Sequence, residues 1–140
     1  MVNFGGDIMA IRSKSDQSPW RIALEMCGHT IPEPKVFTLW QGGIATSGDY
    51  KRFAVNEEGK RLGHILNPTT GWPVANGPSS VSIISKNAMQ SGFLSTLTML
   101  QGENARTFLN QQDIENYCCQ MPTSVNPAAI TYKIGHTQHK

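Results

Sequence analysis

Apolar positions along this chain fall in short runs divided by Gly, Pro, Asn and Ser, a pattern of brief strands and turns. Residues 2–11 read as a strand interrupted at Gly5-Gly6, where the missing side chains allow a bulge or the close approach of a backbone or ligand. Residues 20–25 alternate outward and inward like a half-buried strand. Residues 36–40 do the same beyond the Pro32/Pro34 loop, so the two are expected as neighbours in one antiparallel sheet. Residues 43–47 make a fourth strand and 50–55 a fifth, leading to the turn at Asn56, Glu57, Glu58 and Gly59. Residues 61–65 return toward the sheet, which gives a meander.

The proline-flanked stretch 67–73 is a rigid exposed turn, since each proline restricts the residue before it. After a strand at 80–84, Asn87 caps a helix whose apolar positions Met89, Phe93, Leu97 and Leu100 recur at three- and four-residue spacing, and Gly102 ends it. A second amphipathic helix runs over 103–112 through Ala105, Phe108 and Leu109. Residues 115–121 and 128–134 read as a closing hairpin and 135–140 as a loose tail. The expected architecture is α+β: one domain over 1–134, mainly antiparallel sheet, with two helices packed on one face.

Composition narrows the function more than the fold. A chain of 140 residues supports one core, burying roughly 68% of the surface its unfolded form exposes. Twelve Lys+Arg against ten Asp+Glu leave a net charge of +2. The closest basic pairs, Lys51-Arg52 and Lys60-Arg61, form no stripe, so no nucleic-acid partner is expected. Three cysteines, Cys118 and Cys119 adjacent, match no zinc-ligand spacing and read as free, mostly buried thiols. The longest apolar run, 8–11, is far short of the roughly 20 residues of a membrane span, and Asp7 interrupts any basic-then-apolar leader. As written, the chain is expected to stay in the cytoplasm.

Phosphate loops, zincin helices, Cys-x-x-Cys pairs and nucleophile elbows are all missing. What remains are four polar, glycine-rich islands: Asn3-Phe4-Gly5-Gly6-Asp7, Ala45-Thr46-Ser47-Gly48-Asp49-Tyr50, His64-Ile65-Leu66-Asn67-Pro68-Thr69-Thr70-Gly71, and Ser91-Gly92-Phe93-Leu94-Ser95-Thr96. Taken singly, each reads as a turn or a packing device. In this order, and with Pro19-Trp20-Arg21-Ile22 between the first two, they resemble the C-terminal half of the ApbE-type flavin transferases, the FAD:protein FMN transferases. The resemblance runs from residue 2 to about Leu109.

That resemblance implies an activity: magnesium-dependent transfer of FMN from FAD to a Ser or Thr hydroxyl of an acceptor flavoprotein. It also implies the cofactor Mg2+ and the fold of the family's C-terminal lobe. His64 matches the histidine proposed in the family to deprotonate the acceptor hydroxyl, a task that suits an imidazole. From the residues alone, His64 reads instead as a ring bonded to a loop carbonyl. Carried over by motif, the nucleotide would meet Gly5, Gly6, Ser47, Gly48, Ile65, Leu66, Asn67 and Thr70, although a purely structural turn also explains the last three. The family's metal helix carries an Asp and a Thr four residues apart. Here Thr96 matches, Ser95 adds a weaker oxygen, and Gly92 stands in the carboxylate position, leaving no ligand there.

Asn67 replaces the usual Asp before proline and keeps only its carbonyl for a turn. Trp20, Trp40 and Trp72 read as core or turn anchors, Tyr50 and Arg52 as packing or surface residues, and His29, His136 and His139 as surface residues. Family members carry a long N-terminal region before the first island, so the chain is expected to be a truncated member. It would dimerise or pair with a separate N-terminal half. The alternatives are a non-catalytic module that binds flavin nucleotide or protein, and an inactive fragment.

Overall fold

The structure, a computed structural model, describes residues 1–24 and 35–119. Nine strands and two helices are present among them: β1 (Val2–Phe4), β2 (Asp7–Ala10), β3 (Trp20–Ala23), β4 (Val36–Leu39), β5 (Gly42–Gly48), β6 (Phe53–Val55), β7 (Arg61–Gly63), β8 (Ser80–Ser85), α1 (Ala88–Leu100), α2 (Ala105–Gln111) and β9 (Glu115–Cys119). A five-stranded sheet runs in the order β1-β2-β5-β8-β9, and every adjacent pair is antiparallel. The α+β architecture thus agrees with the sequence reading.

Strand alternation sorts this sheet into two sides. The register Ile8↔Ile44 and Ile44↔Ile84 puts these isoleucines on one side. There they are covered by Ile22 and Leu24 from the β3 region and by Phe37 and Leu39 of β4. On the other side Val81 and Ile83 pack under Met99 of α1 and Leu109 of α2. Burying an aliphatic side chain of this size contributes about 1.5–3 kcal/mol. Both helices lie on this second face, with α1 across β5 and β8.

Four expectations are corrected. Gly5-Gly6 is no bulge: with φ of 64° and 108° the pair reverses the chain, and Phe4↔Asp7 closes a β1–β2 hairpin. A two-residue Gly-Gly connection is itself a hairpin signal, because tight hairpin turns need left-handed backbone. The strands are not a simple meander. β3 and β4 do pair with each other, Trp20↔Leu39 through Ala23↔Val36, but they form a separate two-stranded sheet. β6 and β7 form a third, so 61–65 does not rejoin the main sheet.

The fourth correction concerns α1. Its apolar stripe is not the buried side: Met89 is 83% and Phe93 65% exposed and Leu97 and Leu100 are half-buried, while Ser91, Ser95, Thr98 and Met99 are buried. Close approach is the cause: a Cβ on Gly43 would run into the Asn87–Ala88 peptide. Near that approach small side chains fit, and the buried hydroxyls of α1 are bonded. Ser91 Oγ donates to the Gly43 carbonyl at 3.1 Å, Ser85 and Ser91 hydroxyls pair at 2.7 Å, and Thr98 Oγ1 donates to the Leu94 carbonyl at 2.7 Å.

Asn87 caps α1 as expected, its Oδ1 accepting from Gln90 N at 2.8 Å, and Gly102 (φ 56°) ends the run. A single 3-10 turn over Gly102–Asn104 then leads into α2, so the second helix is shorter than 103–112. Trp20 is half-buried and donates to the Arg12 carbonyl at 2.9 Å, whereas Trp40 and Trp72 are exposed. The strand expected at 128–134, the tail at 135–140, His29, His136, His139 and the side chains of all three cysteines lie outside the described residues. Among the described residues, no helix is long and apolar enough to cross a membrane.

Candidate functional site

A cleft of about 720 Å³ opens where the β1–β2 turn, the end of β5, the segment after β7 and the outer flank of α1 meet. It is lined by Gly5, Gly6, Ser47, Gly48, His64, Ile65 and Thr96, so three distant islands and one helix residue converge there. Asn3, Tyr50, Lys51 and Arg52 join them. A wider groove of about 930 Å³ beside Leu39, Trp40 and Ile114, and a smaller pocket of about 380 Å³ beside Asp49, Arg61 and Trp72, hold less of this chemistry.

His64 is fixed from behind. Its Nδ1 lies 3.0 Å from the Arg52 carbonyl oxygen, and a carbonyl only accepts, so Nδ1 carries the proton. In the neutral ring Nε2 is then the basic nitrogen. The ring thus bonds a loop carbonyl, and that bond leaves Nε2 as the nitrogen able to accept a proton. Arg52 enters the site through its backbone, which sequence reasoning missed and no side-chain signal reveals.

The segment carrying His64 is tied to the sheet through Asp49, the residue after β5. Asp49 N donates to the Ser79 carbonyl at 3.0 Å, and Arg61 Nη2 donates to the Asp49 carbonyl at 3.0 Å. Arg61 also stacks on Phe53 at 3.8 Å from the ring centre. Gly63 leaves room for this carboxylate, since a Cβ there would lie 2.6 Å from Asp49 Oδ2. Burial raises the Asp49 carboxyl above its ordinary value, and the charges of Arg61 and His64 partly offset that.

The turn after Ile65 is self-contained. Asn67 Oδ1 accepts from Thr69 N at 2.8 Å and from Thr70 N at 3.3 Å, Asn67 N donates to the Trp72 carbonyl at 2.9 Å, and Thr70 Oγ1 accepts from Trp72 N at 3.3 Å. An amide oxygen performs this bonding as well as a carboxylate would. Leu66, Asn67 and Thr70 build the turn and do not line the cleft with His64 and Ile65.

Across the cleft runs a chain of hydroxyls. Ser95 Oγ donates to the Gly92 carbonyl at 3.0 Å, so it accepts from Ser47 Oγ at 2.9 Å. Ser47 has then spent its one proton, and Thr96 Oγ1 must donate to it at 2.8 Å. Thr96 is left with its oxygen lone pairs toward the cleft, while buried Ser95 faces β5. Gly92, one turn before Thr96, is not sterically required: a Cβ there would make ordinary contacts, 3.9 Å to Ala45 Cβ and 3.9 Å to Asp7 Oδ2.

Hydroxyl and carboxylate oxygens are the donor type that Mg2+ takes, usually with one or two carboxylates and substrate phosphates. Thr96 and Asp7 fit that type. No group of three or more His, Cys, Asp or Glu side chains converges among the described residues, so a bound nucleotide would have to complete the shell.

Comparison with known proteins places these features in context. The sequence model of the ApbE family matches residues 1–118. The chain is 38% identical over 106 residues to the FAD:protein FMN transferase of Vibrio cholerae, covering 74% of this chain and 31% of that protein. It is 36% identical over 107 residues to the Haemophilus influenzae enzyme of that name, covering 74% and 30%. Among solved structures it is similar to the flavinyl transferase ApbE of Pseudomonas stutzeri, with TM-score 0.73, 27% identity, and coverage of 94% of this chain and 39% of that one. The ApbE protein of Thermotoga maritima gives TM-score 0.69, 34% identity, and coverage of 82% and 38%. The chain thus spans about a third of the length of these relatives.

Proposed function

Because this chain belongs to the ApbE family, we propose that its cleft takes FAD and supports transfer of FMN to a Ser or Thr hydroxyl of an acceptor protein. The acceptor oxygen attacks the phosphorus on the FMN side of the pyrophosphate. A new P–O ester bond forms, the P–O–P bond breaks, and AMP leaves. The hydroxyl proton passes to His64 Nε2. The observation that carries this reading is the tautomer of His64, whose Arg52 carbonyl partner leaves the basic nitrogen for the cleft.

Gly5, Gly6 and Gly48 offer a surface without side chains to the nucleotide, Ile65 gives apolar contact, and Lys51 and Arg52 favour its phosphates. Thr96 would hold a magnesium ion, which supplies charge neutralisation at the pyrophosphate when bound. Ser95 acts at one remove, by orienting Ser47 and through it Thr96. Leu66, Asn67 and Thr70 shape the loop that carries Ile65.

A partner body is part of the proposal. Phe4, 85% exposed, lies on the α1 side of the sheet, the same side as the outward stripe of Met89 and Phe93. This apolar surface supports coverage by a polypeptide equivalent to the remaining length of the relatives.

The test is an FAD titration of the chain followed by flavin fluorescence, with and without Mg2+, together with AMP release. Saturable, magnesium-dependent binding with AMP release is the expected result. Saturable binding without AMP release in the presence of acceptor points to the rival, a non-catalytic flavin-binding module, for which the missing carboxylate at Gly92 is the supporting observation. No binding overturns both.

A further inference from the structure

We infer that Asp7, on strand β2, supplies the divalent-cation carboxylate that α1 lacks at Gly92, so the acidic oxygen of this site comes from the sheet and not from the helix. The inference rests on the reading of the cleft as a site for a metal-bound nucleotide, and it assigns a residue which that reading leaves open.

Register makes the first argument. Ile8 pairs with Ile44, so Asp7 comes opposite Ala45 and shares its side of the sheet, the side that carries α1. Gly92 sits over this spot. A Cβ built there would lie 3.9 Å from Ala45 Cβ and 3.9 Å from Asp7 Oδ2. A carboxylate grown from position 92 would therefore project toward the volume that the Asp7 carboxylate already occupies. One acidic group fits comfortably there, whereas two would repel unless a cation lay between them.

The backbone of Asp7 is fixed by the hairpin, although the residue is exposed. It closes the hairpin opposite Phe4, directly after the two left-handed glycines, and Asn3 Oδ1 accepts from Gly6 N at 2.9 Å across that turn. Among the described residues, no hydrogen bond or ion pair engages its side chain. The neighbouring helix offers it no countercharge, since α1 has no basic residue along its length. One turn beyond Gly92, on the same helical face, the Thr96 oxygen presents its lone pairs because its proton goes to Ser47. One carboxylate next to Gly92 and, a helical turn further on, one oriented hydroxyl form a donor set for a small hard cation once phosphate oxygens complete it.

The experiment measures Mn2+ binding to the 140-residue chain by loss of the free-ion electron paramagnetic resonance signal, with and without FAD. FAD binding is followed separately by fluorescence. Wild type is compared with Asp7→Asn, with Asp7→Asn/Gly92→Asp, and with Asp113→Asn as a distant control. The expected result is weakening by tenfold or more in Asp7→Asn, recovery in the double variant and no change in the control. Asp7 is solvent-exposed, so Asp7→Asn keeps the fold, which circular dichroism checks. The inference is overturned if Asp7→Asn binds Mn2+ like wild type in both conditions, or if wild type binds none in either. FAD binding alongside such a failure leaves the functional reading standing. Asp7-dependent Mn2+ binding without FAD binding overturns that reading and keeps the inference.

Discussion

His64 holds its proton on Nδ1 because a carbonyl faces that nitrogen, so the ring reaches the cleft already in the tautomer a base requires. Replacing it with Asn keeps a side chain able to bond the Arg52 carbonyl but removes the base. We predict that His64→Asn binds FAD normally and releases AMP about 100-fold or more slowly, the usual share of a general base. An unchanged rate would remove His64 from the chemistry. Asp49 gives a second residue-scale prediction. Burial raises its carboxyl above the ordinary 3.8, so the folded chain holds that proton to higher pH than the unfolded one. Stability from this group is therefore greatest below 3.8 and falls as pH rises through the raised folded value. Between acid and neutral pH, denaturant midpoints should therefore fall more, or rise less, in wild type than in Asp49→Asn. His64 stood out in the sequence through its place in the third island and that island's family resemblance, whereas the residues alone gave only a ring bonded to a loop carbonyl. The nearness of Asp7 to Gly92 was not legible, because it depends on strand register and helix placement together, and neither leaves a local signal.

At the scale of elements, the α1 stripe shows how periodicity can point the wrong way. Met89 and Phe93 repeat at helical spacing, yet the buried side is set by what the neighbouring strand can accept. Gly43 brings the start of the helix so close that small side chains fit there. Gly43→Ala should cost about 1–3 kcal/mol or more in chemical unfolding, since backbone blocks the new methyl. A change near zero would mean that the seam is looser than its geometry. Gly92→Ala should have the opposite sign, a gain of about 0.5–1 kcal/mol, because space is open there and glycine weakens a helix. Helix and strand boundaries were legible wherever a cap or a turn residue marks them, as at Asn87 and Gly102. The Gly5-Gly6 hairpin carried an equally plain signal, in that two glycines between apolar runs specify a reversal.

For the molecule as a whole, the sequence conveyed an α+β chain with antiparallel strands and left the grouping of strands undetermined. Alternation tells which face of a strand is apolar, but not which edge it pairs with. β3–β4 and β6–β7 therefore read like members of one meander although they form separate ribbons. The apolar surface at Phe4, Met89 and Phe93 belongs to this scale as well. By itself, the chain should associate as concentration rises, sedimenting above its 15.4 kDa. Phe4→Ser/Phe93→Ser should return it to that mass. A wild type that stays monomeric at every concentration would count against an uncovered interface.

The hydroxyl chain from Thr96 through Ser47 and Ser95 to the Gly92 carbonyl has an entropic consequence. Threonine and serine rotors on an open surface sample several staggered positions, and a ligand that needs one of them must freeze the rest. Here each rotor is oriented by the next, and the last is anchored to helix backbone. The cost of ordering this wall of the cleft falls on folding and not on the arrival of a ligand. Affinity at this wall should therefore depend on Ser95, a buried residue that no ligand touches.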